Sequence, residues 1–251
     1  MKHLNAYITE KLRINSKTIQ YKYFPKTKKE LREILKEKIS KDRHVNLNDI
    51  DVSEIYDMSN LFSGLSPHLI DISQWDVSNV IDMRGMFSGC SNFDCNLSNW
   101  DVSNVEFMRE MFYNCYEFNS NLSKWNVSNV QSTISMFRNC YKFNSDLSKW
   151  DVSNVINMAK MFALCHSFNS DLSKWNVSKV LDMKEMFFDC NDFNSDLSKW
   201  DVSNVTNMRY MFDGCENFNS DLSEWNVINV TDKKSMFDSC NSLKKIPNWY
   251  K

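Results

Sequence analysis

The sequence predicts an α/β repeat fold: a curved solenoid with short parallel strands on one face, short helices on the other and a helical cap at its start. Three observations predict it. Tryptophan recurs at Trp75, Trp100, Trp125, Trp150, Trp175, Trp200 and Trp225, each 25 residues after the last. The residues around each are nearly the same, plainest at 143–155 as FNSDLSKWDVSNV. Within the unit the apolar spacing then changes from alternate residues to every third or fourth. A strict period of this length marks a solenoid, in which each repeat makes one coil and buries its apolar face against its neighbours.

The strand is expected at SKWDVS, where Trp150 and Val152 alternate with Lys149 and Asp151 as in a half-buried strand. The helix is expected over SNVINMAKMFALCHSF, where Val155, Met158, Met161, Phe162 and Cys165 share one helical face. Ser153 stands where an N-cap belongs, and Ser103 with Glu106 forms the S-x-x-E capping box. Strands stack at about 4.8 Å and helices at about 8 to 10 Å, so such an array curves with its strands inward.

Columns of like residues then follow from the period. The Met columns, such as Met158 and Met161, and the Phe column from Phe62 to Phe237 read as core rather than as a copper site. Cys90, Cys115, Cys140, Cys165, Cys190, Cys215 and Cys240 keep the same period, with Cys95 outside it. Side chains at one register point the same way rather than at each other, and no CxxC or Cys/His cluster with zinc spacing occurs. These thiols read as buried small hydrophobes.

Two sets of outward residues are candidate protein-binding positions. On the strand face stand Lys124, Lys149, Lys174 and Lys199, beside Asp101, Asn126, Asp151, Asn176 and Asp201. Alternating Asp with Asn in that column relieves like-charge contact between coils. On the helix side stand Phe107, Tyr113, Tyr116, Tyr141, Phe188 and Tyr210. Aromatic residues are enriched at contact sites. The strand face varies least from coil to coil, and the variation concentrates on the helix side.

The ends depart from the repeat. Thr27 and Glu30 form a second capping box, and Leu31, Ile34, Leu35 and Ile39 make one apolar stripe on a helix over 28–41. The chain therefore divides into an N-terminal segment 1–25 expected to be mobile or an address tag, a helical cap 26–50, and eight repeats 51–250. The last repeat is degenerate and capping: Lys233 interrupts the Met column, Leu243 replaces Phe, and Pro247 opposes further strand addition.

A net charge of −2 gives no bulk basic field for nucleic acid. No segment reaches the roughly 18 to 20 apolar residues of a membrane span. The opening residues lack the apolar core of a secretion signal, so the chain as written is expected in the cytoplasm, with surface or virion association as the alternative.

The phrase MFxxCxxFNSDLSKWDVSNVxNM, as at Met161–Met183 and Met186–Met208, closely resembles the BspA-like branch of the leucine-rich-repeat superfamily. The resemblance implies a right-handed curved solenoid whose strand face serves protein binding or adhesion, and it brings no catalytic residues. Secreted members of that branch carry a signal or lipobox, which this sequence does not show.

The expected function is a non-enzymatic scaffold that binds a protein partner on the solenoid surface. The alternative is a structural or assembly component of a virion, prophage or cell surface. His3, His44, His68 and His166 are scattered, and no phosphate loop, nucleophile elbow or metal motif appears. No cofactor is expected. The oligomeric expectation is a monomer, or weak self-association through the solenoid ends.

Overall fold

The computed structural model describes residues 20–65, 67 and 69–250. It overturns the predicted α/β class. Among the described residues there is one α-helix, α1 (Lys28–Lys41), and a single 3-10 turn at Asn248–Tyr250. Parallel pairing occurs only as isolated bridges, running Asp57↔Asp82, Asp82↔Phe107 and on to Asn207↔Asp232. The chain forms eight stacked coils, 51–75 to 226–250, each built from turns. Neither the strand face nor the helix face exists as such.

The predicted strand is two turns. Trp150 N–H donates to Leu147 O at 3.0 Å and Val155 N–H to Val152 O at 2.9 Å, closing i→i+3 turns on either side of Asp151. The Asp151 carboxylate accepts from Ser153 N–H at 3.0 Å, an Asx turn. Trp150 and Val152 still point inward, so the alternation of burial is real. Its cause is turn geometry rather than a pleat.

The predicted helix is a flat, pleated run of backbone. Lys160 and Leu164 have φ of 59° and 63°, and Ser135, Asn139, Glu185 and Asp189 repeat those values within 10°. A left-handed residue every fourth position is incompatible with an α-helix of L-residues. It turns alternate N–H groups out of the coil instead. Met158, Lys160, Phe162 and Leu164 donate to Asp182, Lys184, Met186 and Phe188 of the next coil at 3.0, 2.8, 2.9 and 2.6 Å. The same ladder recurs along the stack, with three of the four bonds from coils 51–75 and 101–125, always from one coil to the next. It is flanked by bonds of opposite sense, such as Ile156 N–H to Gln131 O at 2.9 Å and Ser167 N–H to Tyr141 O at 3.3 Å. The apolar face that suggested a helix is still buried, because a left-handed residue between right-handed ones keeps Met158, Met161 and Phe162 on the inner side.

Side chains stitch the coils a second time. Trp150 Nε1–H donates to Leu122 O at 3.0 Å, and the same bond recurs from Trp75 to Trp225. Ser145 Oγ accepts from Leu122 N–H at 2.8 Å, and Asn119 Oδ1 accepts from Asn144 N–H at 2.9 Å. Cys165 Sγ–H donates to Phe137 O at 2.9 Å. Phe137, Phe162 and Phe187 stack face to face at 5.7 Å between centroids. The Trp, Ser, Asn, Cys and Phe columns of the repeat therefore hold one coil to the next. The Asp/Asn alternation is a column of Asx acceptors, which either residue supplies.

At its start the stack is closed by α1, whose Thr27 Oγ1 accepts from Glu30 N–H at 3.2 Å. Leu31, Leu35 and Ile39 face coil one at 0, 0 and 4% exposure. Residues 22–23 join the same layer: Tyr23 bridges Ile50 and its carbonyl accepts from Asp51 N–H at 2.9 Å. The first nineteen positions of the expected N-terminal tag lie outside the described residues, as do His3 and His68.

Candidate interaction surface

Two exposed surfaces remain once the inward residues are assigned. The first carries the Asx turns. Lys124, Lys149, Lys174 and Lys199 are all exposed there, one per coil. Asp101, Asn126, Asp151, Asn176 and Asp201 flank them, each accepting the N–H of the serine two residues on, at 3.0 to 3.1 Å. Serine hydroxyl and N–H bonds hold the Asp101, Asp151 and Asp201 carboxyls below the usual carboxylate range. Asp146 and Asp171, next to Lys149 and Lys174, are lowered by Ser148 and Ser173 first and less by the lysines. The structure thus brings the lysine row and the Asp/Asn column together as a repetitive, charge-balanced surface.

The second surface is the ladder face, where the coils differ. Of the six aromatic candidates, Phe107 and Tyr210 lie on it, with Arg84 and Arg209 guanidiniums 5.4 and 4.8 Å from their ring centroids. Tyr113 and Phe188 share one column three coils apart, and Arg138 sits 5.8 Å from the Tyr113 centroid. Tyr116 and Tyr141 form a separate stack on its flank, 4.9 Å apart and 5° from parallel, continued by His166 at 5.0 Å. The six do not form one patch.

Between Tyr113 and Phe188 the ladder face carries its smallest side chains. Coil 151–175 places Ala159 and Ala163 in columns that carry Ile134, Arg138, Lys184 and Phe188 in the neighbouring coils, and both alanines are buried. Leu164 stands beside them with φ of 63°. The same position in the other described coils is Gly64, Gly89, Asn114, Asn139, Asp189, Gly214 or Ser239, all suited to left-handed backbone or small and polar. Coil 126–150 next to it holds the buried hydroxyls of Ser132 and Thr133 without a partner. This alanine position, with Lys160 in its own coil and Arg138 and Lys184 in the adjacent ones, was not among the sequence candidates. Its signal was readable as the one large apolar residue in a column of Gly, Asn and Asp.

Sequence reasoning also passed over Arg32, on α1. Its guanidinium donates to Asn60 O, Leu61 O and Ser63 O at 2.7, 2.5 and 2.7 Å.

The cysteines are free thiols. Burial pushes Cys90 up to about 12, and drives Cys115, Cys140, Cys190 and Cys215 well above the ordinary thiol value. They are donors to carbonyls rather than nucleophiles. No group of three His, Cys, Asp or Glu among the described residues could hold a metal ion. No helix among the described residues is long and apolar enough to cross a membrane.

No curated protein and no solved structure matches the chain. A family model matches twice, over residues 29–149 and 134–249, so that it spans α1 and the repeats and its second match restates the first one several coils later. The chain belongs to the family described as Mycoplasma protein of unknown function, DUF285.

Proposed function

We propose that this chain is a non-enzymatic interaction scaffold, a stack of coils that binds a protein partner through its ladder face around Leu164. The observation that supports this reading is Leu164. A leucine in left-handed backbone costs about 1 to 2 kcal/mol that Gly or Asn at the same position avoids. It sits where the neighbouring side chains shrink to alanine, with Arg138, Lys160 and Lys184 in its own and the adjacent coils. The BspA-like resemblance points the same way, toward protein binding by a solenoid, although the contact surface proposed here is the ladder face. The repeated residues are a weaker source of specificity, because their side chains are already committed between coils.

The test is a capture experiment with three full-length baits from cells expressing the chain: the native protein, Arg109→Glu with Phe188→Glu, and Lys124→Glu with Lys149→Glu and Lys174→Glu. The reading expects one stoichiometric protein held by the native bait, lost by the ladder-face variant and kept by the lysine-row variant. Loss with the lysine-row variant alone would move the site to the Asx-turn surface and contradict the reading.

A further inference from the structure

The trailing edge of the last coil is left incomplete in its backbone and in its core. In the seventh coil, Met208, Tyr210, Phe212 and Gly214 donate to Asp232, Lys234, Met236 and Asp238 O at 2.7, 3.0, 2.9 and 2.9 Å. The equivalent N–H groups of the eighth are those of Lys233, Ser235, Phe237 and Ser239, and none of them donates to an acceptor among the described residues. The flanking bonds run the other way, Thr231 N–H to Thr206 O at 2.8 Å and Ser242 N–H to Glu216 O at 3.1 Å. The edge therefore presents a carbonyl at Thr231, four donors, and a carbonyl at Asn241.

The side chains give a second, independent observation. Val202, Val205, Cys215 and Phe218 are at most 1% exposed, whereas their counterparts Val227, Val230, Cys240 and Leu243 are only partly buried. Ile228, where the other coils carry Ser, is 82% exposed, and Ile246 is 60% exposed. Trp249 Nε1–H donates to Leu222 O at 2.9 Å and Tyr250 packs on Phe237, so residues 249–250 cover the Trp and Phe side.

The pattern of donors selects the occupant. A β-strand edge presents the N–H and C=O of one residue together, so it cannot offer four carbonyls with no donors between them. A bound anion needs N–H groups that converge, and these point toward four separate carbonyl positions. The backbone that complements the edge is the leading edge of a coil of this same kind. In this chain that leading edge is closed, by Arg32 on Leu61 O and Ser63 O, by Lys28 Nζ on Ser59 Oγ at 2.7 Å, and by the apolar side of α1. Two trailing edges would set donors against donors.

We infer that the last coil docks a coil of the same 25-residue kind carried by a different polypeptide, one whose first coil no helix covers. The docked coil accepts from Lys233, Ser235, Phe237 and Ser239 and covers Val230, Cys240 and Leu243. This goes beyond the scaffold reading, since the surface is the end of the stack and not its ladder face.

The test adds a synthetic peptide with the sequence of residues 201–225 to the full chain and follows amide exchange residue by residue. The expected result is at least tenfold slower exchange at Ser235, Phe237 and Ser239 at saturating peptide, no change in coil one, and a monomeric chain throughout. A scrambled peptide of the same composition gives no slowing. Ile228→Asp, which leaves thermal stability unchanged at so exposed a position, weakens the matched peptide at least fivefold. Absence of slowing, equal slowing by the scrambled peptide, or slowing that tracks dimerisation of the chain would each overturn the inference. None of these results bears on capture by the ladder face.

Discussion

The two ends of the stack solve one problem differently. At the start, α1 buries Leu31 and Leu35 completely, and Arg32 supplies the donors that a preceding coil would have supplied to Leu61 and Ser63 O. A cation at a row of free carbonyls is also electrostatically favourable, as at the C-terminus of a helix. At the finish the repeat simply changes letters: Ile228 for Ser, Lys233 for Met, Leu243 for Phe. Beyond the eighth coil four N–H groups find no acceptor among the described residues, and core residues are half covered. The difference teaches that a repeat whose backbone ladder runs from each coil to the next cannot finish itself. Closure needs a segment of another kind, and among the described residues only the first end has it.

Substitutions sharpen this contrast, and the largest effect is expected from apolar truncation. Leu35→Ala in the closed end should lower stability by about 2 to 5 kcal/mol, whereas Ile228→Ala at the open end should stay within about 0.5 kcal/mol. Urea midpoints measured side by side settle this, and equal losses would erase the asymmetry. Arg32→Ala should cost about 1 to 3 kcal/mol, because two carbonyls lose charged donors at a partly buried edge. A loss confined to a few tenths would mean that α1 closes the end by packing alone.

The coils between the ends provide a reference. Thr133 is 2% exposed with its Oγ1 unpartnered, so Thr133→Val should stabilise by about 1 kcal/mol. Leu164→Asn should stabilise by a similar amount, about 1 kcal/mol, by relieving left-handed strain. The second substitution should also weaken capture of the partner, which a purely structural Leu164 would not do.

The thiols compare the ends chemically. Their folded-state ionisation is pushed up by burial, to about 12 for Cys90 and Cys240 and to about 11 for Cys95. A raised thiol favours the folded state below its unfolded value near 8.5, and that contribution is lost as pH rises above it. Stability should therefore fall progressively above about pH 8.5. In the native protein a thiol reagent should modify Cys240 first, since it alone of the column is only partly buried. The lowered Asp151 and Asp201 act in the opposite direction, their contribution being present above about pH 4 and lost as pH falls through their folded values.

The stacking itself was legible in the sequence, as was the inward set of Trp, Val, Met, Phe and Cys, because a period and a burial pattern need no knowledge of backbone conformation. The helix at Lys28–Lys41 was legible for the same reason that short amphipathic helices are: Thr27, Glu30 and the Leu31, Leu35, Ile39 stripe act locally. The strands and helices of the repeat were misread because periodicity reports which residues face inward, not the torsions that put them there. Asp151-x-Ser153 is an Asx-turn signature, and the column Gly64, Gly89, Asn114, Asn139, Asp189, Gly214 marks left-handed backbone. Read together they exclude both elements. The candidate site was less legible. Lysines on the Asx-turn surface were visible as a row, but the ladder-face site around Leu164 depends on two alanines whose meaning appears only beside the larger residues of the adjacent coils.

The central claim is a one-way backbone ladder, closed at its start and open at its finish. Residue-resolved amide hydrogen exchange on the full chain tests it most directly. The account predicts strong protection at Met208, Tyr210, Phe212 and Gly214, and exchange at least a hundredfold faster at Ser235 and Ser239 one coil further on. Equal protection in the seventh and eighth coils, or a helical pattern in which consecutive amides from 157 to 165 are protected alike, would contradict it.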